Sequence, residues 1–198
     1  SVVAPIEPVF VDFEKDMSQS TVGQLPLLYK KNETNDLFTL QYVYDLGKSE
    51  VKEMGIADSY LDYLGTSDMT AADIKLAFYN LACSYEMTVD QDRVIVTLSG
   101  LAENMPKAMT LLESLLADAQ PDKEAYDGLV DDILRSRLNS KANQQNNFRH
   151  LQAYAFYGPN NPAKNILSEA ELRGMTPETL LQHISQLSAF QHRVFYYG

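Results

Sequence analysis

The sequence predicts an α+β domain in which a largely antiparallel sheet carries helices mainly on one face. Two observations predict it. Alternating, β-branched and aromatic runs occur near 9–13, 37–45, 85–89, 94–98 and 193–197, and their polar alternate positions leave one sheet face more hydrophilic. Between these runs, apolar residues recur at helical steps of three and four, in the order β-β-α-α-β-β-α-α-α-α-β. No linker, internal repeat or low-complexity tract divides the 198 residues, so residues 1–198 are expected to form one domain.

The elements follow in order. Val9, Val11 and Phe13 alternate with Phe10 and Asp12, and Leu27, Leu28 and Tyr29 precede a polar turn at 31–36. A long strand runs from Leu37 to Asp45, and Leu46-Gly47 ends it. The period then changes: Val51, Met54, Ala57, Leu61 and Leu64 predict an amphipathic helix from Glu50 to Leu64, stopped by Gly65. Thr70 is placed to cap a second helix with Asp73 in its first turn, and Ile74, Ala77, Phe78 and Leu81 form its inward stripe. The short turn 90–93 joins strands 85–89 and 94–98 into a hairpin.

Ala108, Leu111, Leu112, Leu115 and Leu116 mark the next helix, which ends before Pro121. Leu129, Val130, Ile133, Leu134 and Leu138 mark another, from Asp122 to about Asn139. The polar stretch 139–147 reads equally as an exposed helical turn or a loop. Phe148, Leu151, Tyr154 and Ala155 then form a short helix closed by Gly158-Pro159. Ser168 with Glu171 has the spacing of a capping box, and Thr176-Pro177 sets a cap residue before an N1 proline. A helix from Pro177 to Leu187 leads into the last strand, 193–197.

Charge and inventory exclude several functions. Twenty-seven Asp and Glu against sixteen Lys and Arg give a net charge of −11, which argues against binding nucleic acid or an anionic membrane. No apolar run approaches the length of a spanning helix, so no membrane insertion is expected. SVVAPIEPVF has neither a basic n-region nor a long h-region, and the absence of an initiating Met is consistent with a removed signal or upstream domains. The lone Cys83 is expected to be a small buried apolar residue.

His150, His183 and His192 stand in no HxxEH or HExxH spacing, and nucleotide-loop and esterase signatures are absent. Asp118, Asp122, Glu124, Asp127, Asp131 and Asp132 read either as a cation site or as a solvated helix face, and the helix dipole favours the second near the N-terminus. Tyr42, Tyr44 and Tyr85 lie in predicted strands, as a recognition surface or as half-buried rings with wet hydroxyls.

The ordered segments LPLLYKKNETNDLFTLQYVYDLG, GIADSYLDYLGT and AADIKLAFYNLACSYEMTVDQDRVIVTLSGLAENMPKAMTLLESLLADAQPD, with a long helix after them, resemble a domain of the M16 zinc metallopeptidases. This is the family of pitrilysin, insulin-degrading enzyme and processing peptidase. The resemblance implies the LuxS/processing-peptidase-like fold and covers nearly the whole chain. In active members an HxxEH zinc helix occupies the GIADSYLDYLGT position. Aligned on the Tyr-Leu pair, the metal-site positions fall on Ser59, Asp62 and Tyr63; aligned on Gly65-Thr66, they fall on Ile56, Ser59 and Tyr60. Both histidines are lost either way, and no Glu lies between Ala125 and Ser168 where the family places its third ligand.

The resemblance therefore implies a domain with no catalytic residue, no metal and no cofactor of its own, zinc being expected only in a catalytic domain elsewhere in a multi-domain parent. Its implied partners are neighbouring M16 domains of the same polypeptide and the parent's peptide substrate, in a chamber of paired domains. A periplasmic or secreted location is compatible with the family. Two other readings stay open: a stand-alone module whose acidic surface binds a basic partner, and a hydrolase whose residues the sequence does not bring together.

Overall fold

Strand alternation decides which way the layers face. In a computed structural model that describes residues 17–22, 24–160 and 165–198, six strands form one sheet. They are β1 (Ser18–Val22), β2 (Leu25–Lys30), β3 (Leu37–Tyr44), β4 (Cys83–Val89), β5 (Val94–Leu101) and β6 (His192–Tyr197). Their order is β1-β2-β6-β3-β5-β4; β2 and β6 are parallel and every other pair is antiparallel. The strand expected at 9–13 lies outside the described residues.

On one face, Phe38, Leu40 and Tyr44 of β3 meet Val94, Val96 and Leu98 of β5, Met87 and Val89 of β4 and Val194 of β6, all buried. The register puts Thr39, Gln41, Thr97, Ser99, Ser84, Glu86 and Thr88 on the other face, joined by Val43, Ile95 and Phe195. Gln41 donates to the Thr97 hydroxyl across that face at 3.2 Å. The uneven polarity of the two faces gives a sheet covered on one side.

Seven α-helices supply the cover: α1 (Ala57–Leu61), α2 (Ala71–Asn80), α3 (Met105–Asp118), α4 (Lys123–Lys141), α5 (Gln144–Tyr157), α6 (Glu169–Gly174) and α7 (Pro177–Ser185). Ile74 and Phe78 of α2, Ala108, Leu112 and Leu115 of α3, and Leu180, Leu181 and Ile184 of α7 join the sheet residues in one apolar cluster. α5 packs against α4 and buries none of its residues.

The capping box expected at Ser168 and Glu171 forms on α6, and the expected Thr70 cap forms on α2, where Asp73 completes it as a second box. Asp122, not expected as a cap, caps α4 by accepting from the Ala125 N–H. Pro177 starts α7, but the Thr176 side chain makes no cap bond and its hydroxyl instead lies 2.9 Å from that of Thr179. Ala82, at φ 48, turns the chain from α2 into β4. Opposite it, Gly100 sits where a Cβ would come within 2.4 Å of the Ala82 carbonyl oxygen, so only glycine fits this strand crossing.

One expected element takes a different form. The span Glu50–Leu64 is a 3₁₀ turn, Lys52–Ile56, followed by the five-residue α1. Two causes act together: Gly55 weakens the helix from within, and Ile56, at φ −126 and ψ 1, leaves helical geometry. The polar stretch 139–147 proves mostly helical: α4 runs to Lys141, and Asn143 caps α5 with its side-chain oxygen.

The 3₁₀ turn is held to α6 from outside the core. Lys52 Nζ donates to both carboxylate oxygens of Glu171, at 2.8 and 2.9 Å. That hydrogen bond, with those from Ser168, lowers the Glu171 carboxyl from 4.5 to about 2. A carboxyl depressed in the folded state stabilises it above its ordinary pKa and stops doing so as acid protonates it. Glu171→Gln should therefore flatten the fall in stability between pH 4.5 and 2 and leave the neutral-to-alkaline limb unchanged, as read by urea midpoints across pH.

Candidate functional site

The span that resembles the zinc helix is the short stack of the 3₁₀ turn and α1. Its apolar positions drive it into the domain: Met54, Ile56, Ala57, Leu61 and Leu64 are buried, together with Tyr60, which is 0% exposed. Ser59, Asp62 and Tyr63 point outward, Tyr63 being 50% exposed. Of the two alignments in the sequence, the one on the Tyr-Leu pair thus places its three positions on the surface. The one on Gly65-Thr66 places two of its three, Ile56 and Tyr60, in the core.

Tyr60 fixes this orientation. Its hydroxyl donates to the Asp122 carbonyl at 2.8 Å and accepts from the Asp122 N–H at 2.9 Å, so one side chain satisfies both backbone groups at the start of α4. The ring meets Tyr126 edge-on, with centroids 5.5 Å apart, and the Tyr126 hydroxyl donates to the Leu172 carbonyl at 2.7 Å. The pair thereby connects α1, α4 and α6. Burial pushes both phenols above their ordinary pKa; at Tyr60 the bond to Asp122 opposes the shift. The strand-free path from α1 into α2 is equally tight. A Cβ on Gly65 would approach the Met69 carbonyl oxygen to 2.3 Å, and the Gly65 carbonyl accepts from the Gln120 N–H at 2.9 Å.

On its outer side, Asp62 lines a shallow cleft of about 300 Å³ with Lys75, Phe78, Tyr79, Ser84 and Tyr85. Burial, then the Asp62 charge, raises the Tyr85 phenol to about 12, so it is a hydrogen-bond donor at neutral pH. The wall of this cleft is β4, which among the described residues is the outermost strand on that side of the sheet and pairs with β5 alone.

The residues do not fit zinc. Asp62 is the one carboxylate among Ser59, Asp62 and Tyr63, whereas Zn²⁺ needs three nitrogen, sulfur or carboxylate ligands to hold a reactive water. Ser59 is occupied locally, its N–H donating to the Asp58 carboxylate at 2.7 Å. Among the described residues, no group of three or more His, Cys, Asp or Glu could hold a metal ion. His192 lies against the Tyr44 ring, with Nδ1 2.8 Å from the Phe190 carbonyl oxygen.

Five of the six residues of the acidic series have a hydrogen-bond or ion-pair partner, Asp122 as the cap of α4. Asp118 accepts from the Ser67 N–H and hydroxyl, Asp127 pairs with Lys123, Asp131 with Arg173 and Asp132 with Arg135. Cys83 is buried, and burial raises its thiol pKa. Tyr44 is buried and Tyr42 half-buried, both raised to about 12 by burial first. Sequence reading named Tyr60 only as an alignment position, and missed both its buried bonds to Asp122 and the β4 edge. The signal for Tyr60 was its place between Ala57 and Leu61 on the inward side of the helical stripe.

These contacts order the substitutions. Leu61→Ala should cost about 2–5 kcal/mol by opening a core cavity, and Tyr60→Phe about 1–3 kcal/mol by orphaning a buried N–H. Asp62→Ala, at the surface, should cost under about 1 kcal/mol. Urea titration of the three variants gives the ranking, and an equal loss at Asp62 would mean that the outward set is structural.

No family model and no curated protein matches the sequence. Solved structures do match. A peptidase M16 inactive domain from Pseudomonas fluorescens superposes with a TM-score of 0.78 at 13% identity, over 92% of this chain and 46% of that one. The periplasmic protease PqqL of Escherichia coli does so at 0.74 and 12%, over 100% of this chain and 24% of that one. The ferredoxin protease FusC, crystallised with Arabidopsis ferredoxin, does so at 0.73 and 12%, over 96% and 22%. The chain thus spans less than half the length of the solved structures it matches. At these identities the likeness is one of fold: the chain has the fold of an M16 peptidase domain.

Proposed function

We propose that this chain is a non-catalytic M16-like domain of a larger zinc peptidase, forming part of the wall of its peptide-holding chamber. The observation that carries this reading is the state of α1. It keeps an apolar packing face against the sheet and α4, while its outward positions, Ser59, Asp62 and Tyr63, lack a ligand set. The fold likeness to a peptidase M16 inactive domain, and to proteases more than twice this chain's length, supports the same reading. Its partners would be neighbouring M16 domains of one polypeptide and the parent's peptide substrate.

The wall can still hold peptide. An unpaired strand edge offers alternating N–H and C=O groups to an extended chain, and β4 presents such an edge beside the Asp62–Tyr85 cleft. Lys75 and the Tyr79 ring would line the path of the peptide's side chains. The cleft has Asp62 as its one carboxylate, and among the described residues no cluster could hold a metal, so binding there is expected to leave the peptide intact.

Adding a neutral extended peptide to the ¹⁵N-labelled chain should shift the amide signals of Cys83–Val89 saturably and give no hydrolysis product by mass spectrometry. Cleavage would overturn the non-catalytic reading. Shifts absent from β4, with binding instead of a basic protein to the acidic surface, would favour the stand-alone module.

A further inference from the structure

The carboxylates of this chain are unevenly distributed. None of its twenty-seven lies between Asp132 and Glu169, a stretch that contains Arg135, Arg137, Lys141, Arg149 and Lys164. A molecule of net charge −11 thus has, along the second half of α4 and α5, a stretch in which every Lys, Arg, Asp or Glu after Asp132 is a cation. The same region exposes its large apolar side chains: Phe148, Leu151, Tyr154 and Phe156 of α5 are 59–75% exposed.

Between α4, α5 and the segment before α6 lies a cleft of about 630 Å³. Leu138, Ile166 and Leu167 supply apolar lining, and Arg137, Lys141 and His150 supply the polar part. Arg137 is oriented by its bond to the Leu167 carbonyl, 2.6 Å long. The one carboxylate lining the cleft, that of Glu169, is engaged by Arg173 at 3.1 Å, which leaves the cleft cationic.

We propose that this cleft is a docking site for an acidic polypeptide segment carrying apolar anchors. Charge complementarity selects the occupant: a net charge of −11 repels an acidic segment overall, and the carboxylate-free stretch of α4 and α5 beside the cleft attracts it. A basic partner would be drawn to the other faces. A second copy brings net negative charge, but its α4 carboxylates Asp127, Asp131 and Asp132 already face their own cations. A bilayer is flat, whereas the site is concave, and Arg149 is the one charged residue on α5. The inference stands apart from the chamber-wall reading, since it uses neither α1 nor β4.

The test is fluorescence anisotropy with the full chain and a short labelled peptide alternating Asp or Glu with Leu or Phe, beside its counterpart with Lys at the acidic positions. The acidic peptide should bind and the basic one should not. Raising salt from about 0.05 M to about 1 M, where the screening length falls to about 3 Å, should weaken binding about tenfold or more. Lys141→Glu should weaken it about fivefold to tenfold, and Ile166→Asp should do the same through the apolar lining. Both residues are exposed, so neither change threatens the core. Equal binding of the two peptides, binding of neither, or indifference to both variants would overturn the proposal. So would self-association in sedimentation, or binding to phosphatidylserine vesicles, that the same two variants abolish.

Discussion

The hydroxyl of Tyr60 is the point on which the arrangement of this domain turns. A fully buried phenol would be costly without partners, and the Asp122 backbone supplies both an acceptor and a donor. Because the two bonds need a fixed ring position, they set the rotation of α1 about its axis. That rotation puts Leu61 under the sheet and turns Ser59, Asp62 and Tyr63 outward. Tyr126 extends the constraint to α6 through Leu172, and the Lys52–Glu171 pair closes the circuit on the surface.

In the M16 plan that the sequence resembles, the α1 segment carries zinc. Here its inward face remains a packing element, and its outward face adjoins a free strand edge and a shallow cleft. On the reading proposed above, a domain of this kind would shape the space around a substrate without altering it.

Much of this was legible in the sequence, for reasons that particular residues show. The alternation in β3 and β5 gave the covered face, because side-chain period two is a local property of strands. Thr70 with Asp73 and Ser168 with Glu171 announced two helix starts, because a capping box is complete within four residues. Ser59, Asp62 and Tyr63 came from the resemblance to the zinc helix, whereas helical periodicity supplied the inward stripe Met54, Ala57, Leu61 and Leu64, which is buried although the backbone there is partly 3₁₀. What stayed hidden is what joins distant residues. The Tyr60–Asp122 bonds span 62 positions and the Lys52–Glu171 pair 119, and the insertion of β6 between β2 and β3 brings together chain ends with no shared pattern. The cleft beside α5 was invisible for the same reason, though the absence of carboxylates from Asp132 to Glu169 was plain to read.

Metal stoichiometry tests the central claim most directly. The full chain would be equilibrated with a small excess of Zn²⁺, passed through a desalting column and analysed for bound metal. A domain whose ligand positions are Ser59, Asp62 and Tyr63 should emerge with no stoichiometric zinc. One tightly held Zn²⁺ per chain would contradict the account.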